Sequence, residues 1–186
     1  MSATVIAQQW MSIDGFAAGK TDEAEIFAAV ADEADQASMR YNQQFLSSVT
    51  EVLLGRRTYE SFVTVWPSAD LLVAEPVNTL PKVVFSRSLD QAPWAGFEPA
   101  RVETDAVSYV GRRRHEVEGN LLIWGSLELM AGLLTARLVD ELDLFVAPVA
   151  LGAGTPLLPP GLHLDLTLAR AETWSSVTHL RYRIRA

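Results

Sequence analysis

The chain has 186 residues, 49% hydrophobic and 20% charged, and its 15 basic against 23 acidic side chains give a net charge of −8. That balance suits one domain with a sizeable core and argues against a general nucleic-acid surface. Disulfides and thiolate metal sites are excluded because there is no cysteine, and histidines at 115, 163 and 179 are too scattered to suggest metal ligands. No apolar stretch reaches the roughly 18 residues that a membrane span needs. The N-terminus lacks a basic region followed by an apolar one, so no signal peptide is read and a cytoplasmic protein without a membrane partner is expected.

Taken in order, residues 4–10 read as a strand and "SIDGFAAGK" (12–20) as a loop. Ile26, Phe27, Val30, Ala31 and Ala34 recur at helical spacing and predict one helix from Thr21 to about Ala37, with a second, short one from Tyr41 to Ser48. "EVLL" (51–54) is a buried strand, and a helix from Thr58 to Val65 stops before Trp66-Pro67. "KVVFS" (82–86) and "NLLIW" (120–124) are further buried strands on either side of a helix over 105–116. The cluster Arg112, Arg113, Arg114 closes that helix, where cations meet the negative end of its dipole. Leu127, Met130, Leu133 and Leu134 mark another helix, and "LDLFVAP" (142–148) another strand. The alternating segments 164–174 and 175–185 read as an antiparallel pair at a half-exposed sheet edge. The pattern predicts a single three-layer α/β domain over 1–186. Its sheet is mixed and mostly parallel, with helices on its faces and a terminal hairpin. Ligands of such folds bind at the C-terminal ends of the strands.

Three strand ends carry phosphate-compatible chemistry. In "LLGRRTYESF" (53–62), Gly55 permits a tight turn, and Arg56 and Arg57 sit at a helix start whose dipole already favours anions. Cations are unfavourable there unless something negative binds. The alternative keeps Thr58 as an N-cap and the arginines solvated or paired with acids. Ser86, Arg87 and Ser88 follow the second strand, and Gly125-Ser126 opens a helix after the third. Together they favour a dinucleotide bearing an extra phosphate. "GFAAGKT" (15–21) has three residues between its glycines where a P-loop needs four, so it reads as a loop over a pocket. In "WGSLELM" glycine and serine are adjacent, which is not the alternating spacing of a nucleophile elbow.

"LLGRRTYESF", "LPKVVFSRSL", "LLIWGSLELMAGLL" and "RLVDELDLFVAPVALGAGTPLL" occur in that order. As a set they resemble the dihydrofolate-reductase-like superfamily, in particular the C-terminal reductase domain of the riboflavin-biosynthesis deaminase-reductase and its stand-alone relatives. The resemblance implies an eight-stranded mixed sheet that binds NADPH. It places Gly55, Arg56, Arg57 and Thr58 on the cofactor phosphates, Ser86 and Arg87 on the adenosine 2′-phosphate, and Gly125, Ser126 and Leu127 toward the pyrophosphate and nicotinamide. Ala17 and Ala18 would line the nicotinamide pocket, with the loop 151–158 beside it, and a homodimer paired through C-terminal strands is implied. Phe16 stands where the riboflavin-pathway reductases usually carry a lysine, and none of the acids Asp22, Glu23, Glu25, Asp32, Glu33 and Asp35 is singled out as the pterin-binding acid of dihydrofolate reductases.

The expected activity is NADPH-dependent hydride transfer to a C=N or C=O group of a small pterin- or pyrimidine-like heterocycle, the cofactor supplying the hydride. Asp14 is the candidate proton donor or ribose contact, with a turn-forming role weighed against it. Trp10, Phe16 and Trp66 are candidate walls for a flat ring, and packing is the competing role for each. A nucleotide-binding module without turnover and a purely structural dimer are the other readings.

Overall fold

The computed structural model describes residues 2–185. Its strands and helices are β1 (Thr4–Ser12), β2 (Phe16–Ala18), α1 (Ala24–Phe27), α2 (Asp32–Phe45), β3 (Val49–Gly55), α3 (Arg56–Val65), α4 (Ala74–Thr79), β4 (Lys82–Phe85) and β5 (Ala92–Trp94). There follow β6 (Phe97–Glu103), α5 (Ala106–Arg113), β7 (Asn120–Trp124), α6 (Leu127–Thr135), β8 (Glu141–Ala147), β9 (Thr155–Pro156), β10 (Leu166–Trp174) and β11 (Val177–Ile184). Nine strands form one sheet in the order β10-β11-β8-β1-β7-β3-β4-β6-β5. From β8 across to β6 every pairing is parallel, while β11, β10 and β5 run antiparallel to their neighbours. This is the mixed, mostly parallel sheet with a C-terminal hairpin that the sequence pattern predicts.

The apolar runs bury both faces of the sheet, as strands covered by helices on each side must. Val5, Ala7, Leu53, Leu121 and Ile123 pack with Tyr109 and Val110 of α5 and Met130 and Leu133 of α6. Ile6, Val52, Leu54 and Leu122 point the other way, onto Phe45 of α2 and Tyr59 of α3. Because side chains alternate along a strand, Gln8 continues the Ile6 face and Gln9 the Ala7 face. Both lie in the middle of β1, where Gln8 is paired with Trp124 at the end of β7.

Several expectations need correction. The helix predicted over 21–37 is broken: four-residue α1 ends at Phe27, and α2 starts at Asp32 and runs without interruption through the predicted gap to Phe45. Apolar spacing carried the prediction across Val30 and Ala31, but Ala31 is extended at φ −71°, ψ 148°, which starts a new helix. The sheet has nine strands rather than eight. Strands β5 and β6 and helix α4 carry weak sequence signals, since β6 is mostly exposed and β5 and α4 contain Pro93 and Pro76. Helix α3 begins at Arg56 with Gly55 as its N-cap, so Thr58 lies inside the first turn and does not cap it. The arginine cluster closes α5 as expected, with Arg112 and Arg113 in its last turn, and is also paired with acids: Arg112 with Glu116, Arg113 with Glu51 and Glu116, and Arg114 with Asp140. Among the described residues, no helix is long and apolar enough to cross a membrane.

Candidate cofactor and substrate cleft

Strands β3 and β7 are parallel neighbours, so the helices that follow them start side by side at the C-terminal ends of these central strands. Gly125 (φ 61°) and Ser126 (φ 58°) both take left-handed backbone to make the second of these starts. A Cβ on Gly125 would meet Thr58 Cγ2 at 3.4 Å, an ordinary contact, so glycine is needed here for the left-handed turn. Ser126 Oγ accepts from Gly55 N at 2.8 Å and donates to Thr58 Oγ1 at 2.9 Å, which ties the two helix starts together. With Ser126 and Thr58 used on each other, neither α3 nor α6 has a side-chain N-cap. Two sets of first-turn amides therefore face one corner without a side-chain acceptor, beside two arginines.

The arginines are only loosely held. Arg56 meets Glu60 at 3.1 Å and Arg57 meets Glu128 at 3.4 Å, both well exposed, and such pairs are worth little in water. Arg87 is exposed and has no ion pair among the described residues. It follows Ser86, whose buried hydroxyl accepts from the amides of Ser88 and Leu89, both at 3.1 Å, and so fixes the turn that presents Arg87. Ala17 and Ala18 lie in β2, which pairs with β9 of the 151–158 loop. A Cβ on Gly154 would run into the Ala18 carbonyl, so the two loops close on each other through a bare backbone.

These elements border a cleft of about 1040 Å³ that extends between α2 and α3. Helix α2 contributes Asp35, Ser38, Met39 and Asn42, one face at helical spacing. Phe62, Trp66 and Trp124 form one aromatic wall, with ring centroids 5.7 to 6.2 Å apart, and Trp10 with Phe27 at 5.5 Å forms another. The Asp35 carboxyl is raised above the usual aspartate range, first by burial and then by Asp32. Glu23 at the rim is raised as well, by desolvation and by Asp22. On the floor, Gln8 Nε2 donates to Asn42 Oδ1 at 2.9 Å and to Asp143 Oδ2 at 2.8 Å.

The cleft thus brings together Trp10, Ala17, Ala18, Gly55, Arg56, Arg57, Thr58, Trp66, Ser86, Arg87, Gly125, Ser126 and Leu127. Phe16 and Asp14 do not line it. Phe16 pairs with Pro156 in the small sheet of β2 and β9. The Asp14 carboxylate accepts from Ser12 Oγ at 2.6 Å, Leu151 N at 3.1 Å and Gly152 N at 2.7 Å. These donors, Ser12 first, lower its pKa. An ionised acid pinned this way anchors the loop after β8, which is the turn-forming role weighed against a catalytic one. The sequence reading missed Gln8, Asn42 and Trp124, and did not select Asp35. A helix starting at Asp32 would have placed Asp35, Ser38, Met39 and Asn42 on one stripe; the misplaced helix boundary hid it.

The fold and the cleft together define an α/β protein of the dihydrofolate-reductase-like class. The RibD C-terminal domain family matches residues 3–180, and the chain belongs to that family. Among curated proteins it is similar to the uncharacterised protein YwjB of Bacillus subtilis, 29% identical over 113 residues, which span 61% of this chain and 60% of that protein. A pyrimidine reductase-like protein from Corynebacterium diphtheriae superposes with a TM-score of 0.67 at 14% identity, covering 99% of this chain and 92% of that one. A dihydrofolate reductase from Enterococcus faecalis, complexed with NADP(H), superposes at 0.58 with 12% identity and full coverage of both chains. At these identities the structural likeness speaks for the fold.

Proposed function

We propose that this protein is an NADPH-dependent reductase that acts on a small pyrimidine- or pterin-like heterocycle. The observation that carries the reading is the paired, uncapped helix starts of α3 and α6, locked by the Gly55–Ser126–Thr58 hydrogen bonds and flanked by Arg56, Arg57 and Arg87. Bound NADP(H) in a reductase of the same fold supports it. The donor set fits such a cofactor: free amides and arginines suit a pyrophosphate, and Arg87 beside Ser86 suits a ribose 2′-phosphate. When bound, NADPH supplies the hydride.

The chain's own residues do the rest. Gly125, with no side chain at the cleft corner, would leave backbone open to the cofactor there. The aromatic walls hold a flat ring and exclude water. Asp35, on the cleft face of α2 with a carboxyl pKa raised by burial, donates the proton that a reduced C=N or C=O requires. This role passes to Asp35 because Asp14 is held ionised outside the cleft. The test is loss of reduced-nicotinamide absorbance with pterin, aminopyrimidine and simple imine probes. Turnover that is lost in Asp35→Asn while NADPH still binds supports the account; NADPH binding with no turnover on any probe would leave a nucleotide-binding module.

A further inference from the structure

The floor of the substrate half is built around a carboxylate that hydride transfer does not use. Asp143 is fully buried on β8 and collects donors: Gln8 Nε2 at 2.8 Å, the Tyr41 hydroxyl at 3.1 Å and His179 Nε2 at 2.6 Å. Burial, with Asp143 second, raises the Tyr41 hydroxyl pKa and keeps it a donor. A carboxylate accepts and an amide nitrogen donates, so Asp143 dictates which way the Gln8 amide points. The second Gln8 N–H goes to Asn42 Oδ1 at 2.9 Å, which in turn orients the Asn42 amide. Gln8 is 1% exposed, and its Oε1 is left buried in the cleft floor with no partner among the described residues. Asn42 Nδ2 belongs to the same floor and has no acceptor there among the described residues. An acceptor and a donor, both with fixed orientation, thus belong to the residues lining the cleft, next to Gln9, whose Oε1 is likewise buried without a partner among the described residues. A buried acceptor without a donor is costly until a ligand supplies one.

Charge divides the cleft as well. Its cations, Arg56, Arg57 and Arg87, all follow β3 and β4. Around β1 and α2 the charged lining residues are Asp22, Glu23 and Asp35, and among the described residues no lysine, arginine or histidine lines that half. A phosphate there would meet acids and no counter-charge.

We infer that the substrate half takes a planar, phosphate-free heterocycle with a ring N–H beside a ring carbonyl, the N–H donating to Gln8 Oε1 and the carbonyl accepting from Asn42 Nδ2. Asp143, Tyr41 and His179 are positioning residues: they touch no ligand and hold the Gln8 amide in the accepting orientation. The inference rests on the reductase reading for calling this ring the substrate.

The experiment is calorimetric titration of the full chain, with and without saturating NADPH. The probes are aminouracil, its N,N′-dimethyl derivative (which lacks ring N–H donors), uridine and uridine monophosphate. Aminouracil should bind at least about 10-fold tighter than the dimethyl form, and uridine at least about 10-fold tighter than its phosphate. Gln8→Met, of similar length, should erase the first preference. Asp143→Asn should turn the Gln8 amide and reverse that preference, whereas a merely structural role would weaken both probes alike. Equal binding of the dimethyl form, tighter binding of the monophosphate, or no saturable binding by any probe overturns the inference. Ring binding with the expected preferences but no NADPH binding sinks the reductase reading and leaves this one standing. NADPH binding without preference among the rings does the opposite.

Discussion

Asp35 is the residue on which the proposed chemistry turns, and its environment gives two expectations. Its folded pKa is raised, by burial first and by Asp32 second. A proton donor works while protonated, so turnover should fall as pH rises through the raised value. In Asp35→Asn turnover should drop about 100-fold, within the range for a general acid, and lose that pH dependence. Stability moves with pH in the same direction, and it is the substitution that acts oppositely on the two. A carboxyl that is harder to ionise when folded contributes stability below its unfolded pKa and loses it as pH rises through the folded value. Asp35→Asn should therefore melt higher than the wild type at neutral pH while turning over less. A melting curve and a pH–rate profile on the same preparation check both. That Asp35 escaped the sequence reading has a physical cause: side chains of similar chemistry crowd the segment 22–35, and only the start of α2 at Asp32 decides which of them faces the cleft.

At the scale of elements, the junctions legible in the sequence are those where one residue type solves a backbone problem. Gly125 and Gly55 mark strand-to-helix corners, and the quoted strands β3, β4 and β7 fall within a residue or two of where the apolar runs put them. What the sequence did not show is the tie between corners that lie 71 residues apart, Gly55 N to Ser126 Oγ. No local pattern encodes a long-range hydrogen bond. Ser126→Ala should leave the Gly55 N–H without its acceptor and cost about 1–2 kcal/mol. Gly125→Ala should cost about 1–3 kcal/mol through its left-handed backbone. Both are read as lowered midpoints in denaturant, and both should weaken NADPH binding.

The same scale explains α4. Lys82, 5% exposed at the start of β4, donates to the carbonyls of Asn78 at 2.9 Å and Leu80 at 2.7 Å, and its ammonium lies 4.4 Å from the centroid of the Trp94 ring. Desolvation lowers its pKa from 10.5 to about 8. Between those values the unfolded chain holds more protons, so the Lys82 contribution makes stability rise with pH across that window. Lys82→Met should remove the rise, a difference visible in melting temperatures taken between the two pH limits.

For the whole molecule, the alternation of buried strands and helices and the terminal hairpin were enough to give the class of fold, because parallel strands covered on both faces must read as unbroken apolar runs. The weak edge was not legible because β6 is mostly exposed and carries little hydrophobic signal, while the three-residue β5 is centred on Pro93. The other edge of the sheet is the nine-residue β10, which pairs with β11 on one side and, among the described residues, with no strand on the other, and which exposes Leu168 at 53%. We propose that two copies pair there; sedimentation should show a dimer that Leu168→Glu shifts toward monomer.

The central claim is that the joined helix starts and Arg87 hold a dinucleotide carrying a 2′-phosphate. Calorimetric titration of wild type and Arg87→Ala with NADPH and NADH tests it most directly. Saturable NADPH binding, at least about 10-fold tighter than NADH and with that ratio collapsing in Arg87→Ala, is the predicted result. No saturable NADPH binding, or equal affinity for the two dinucleotides in the wild type, would contradict it.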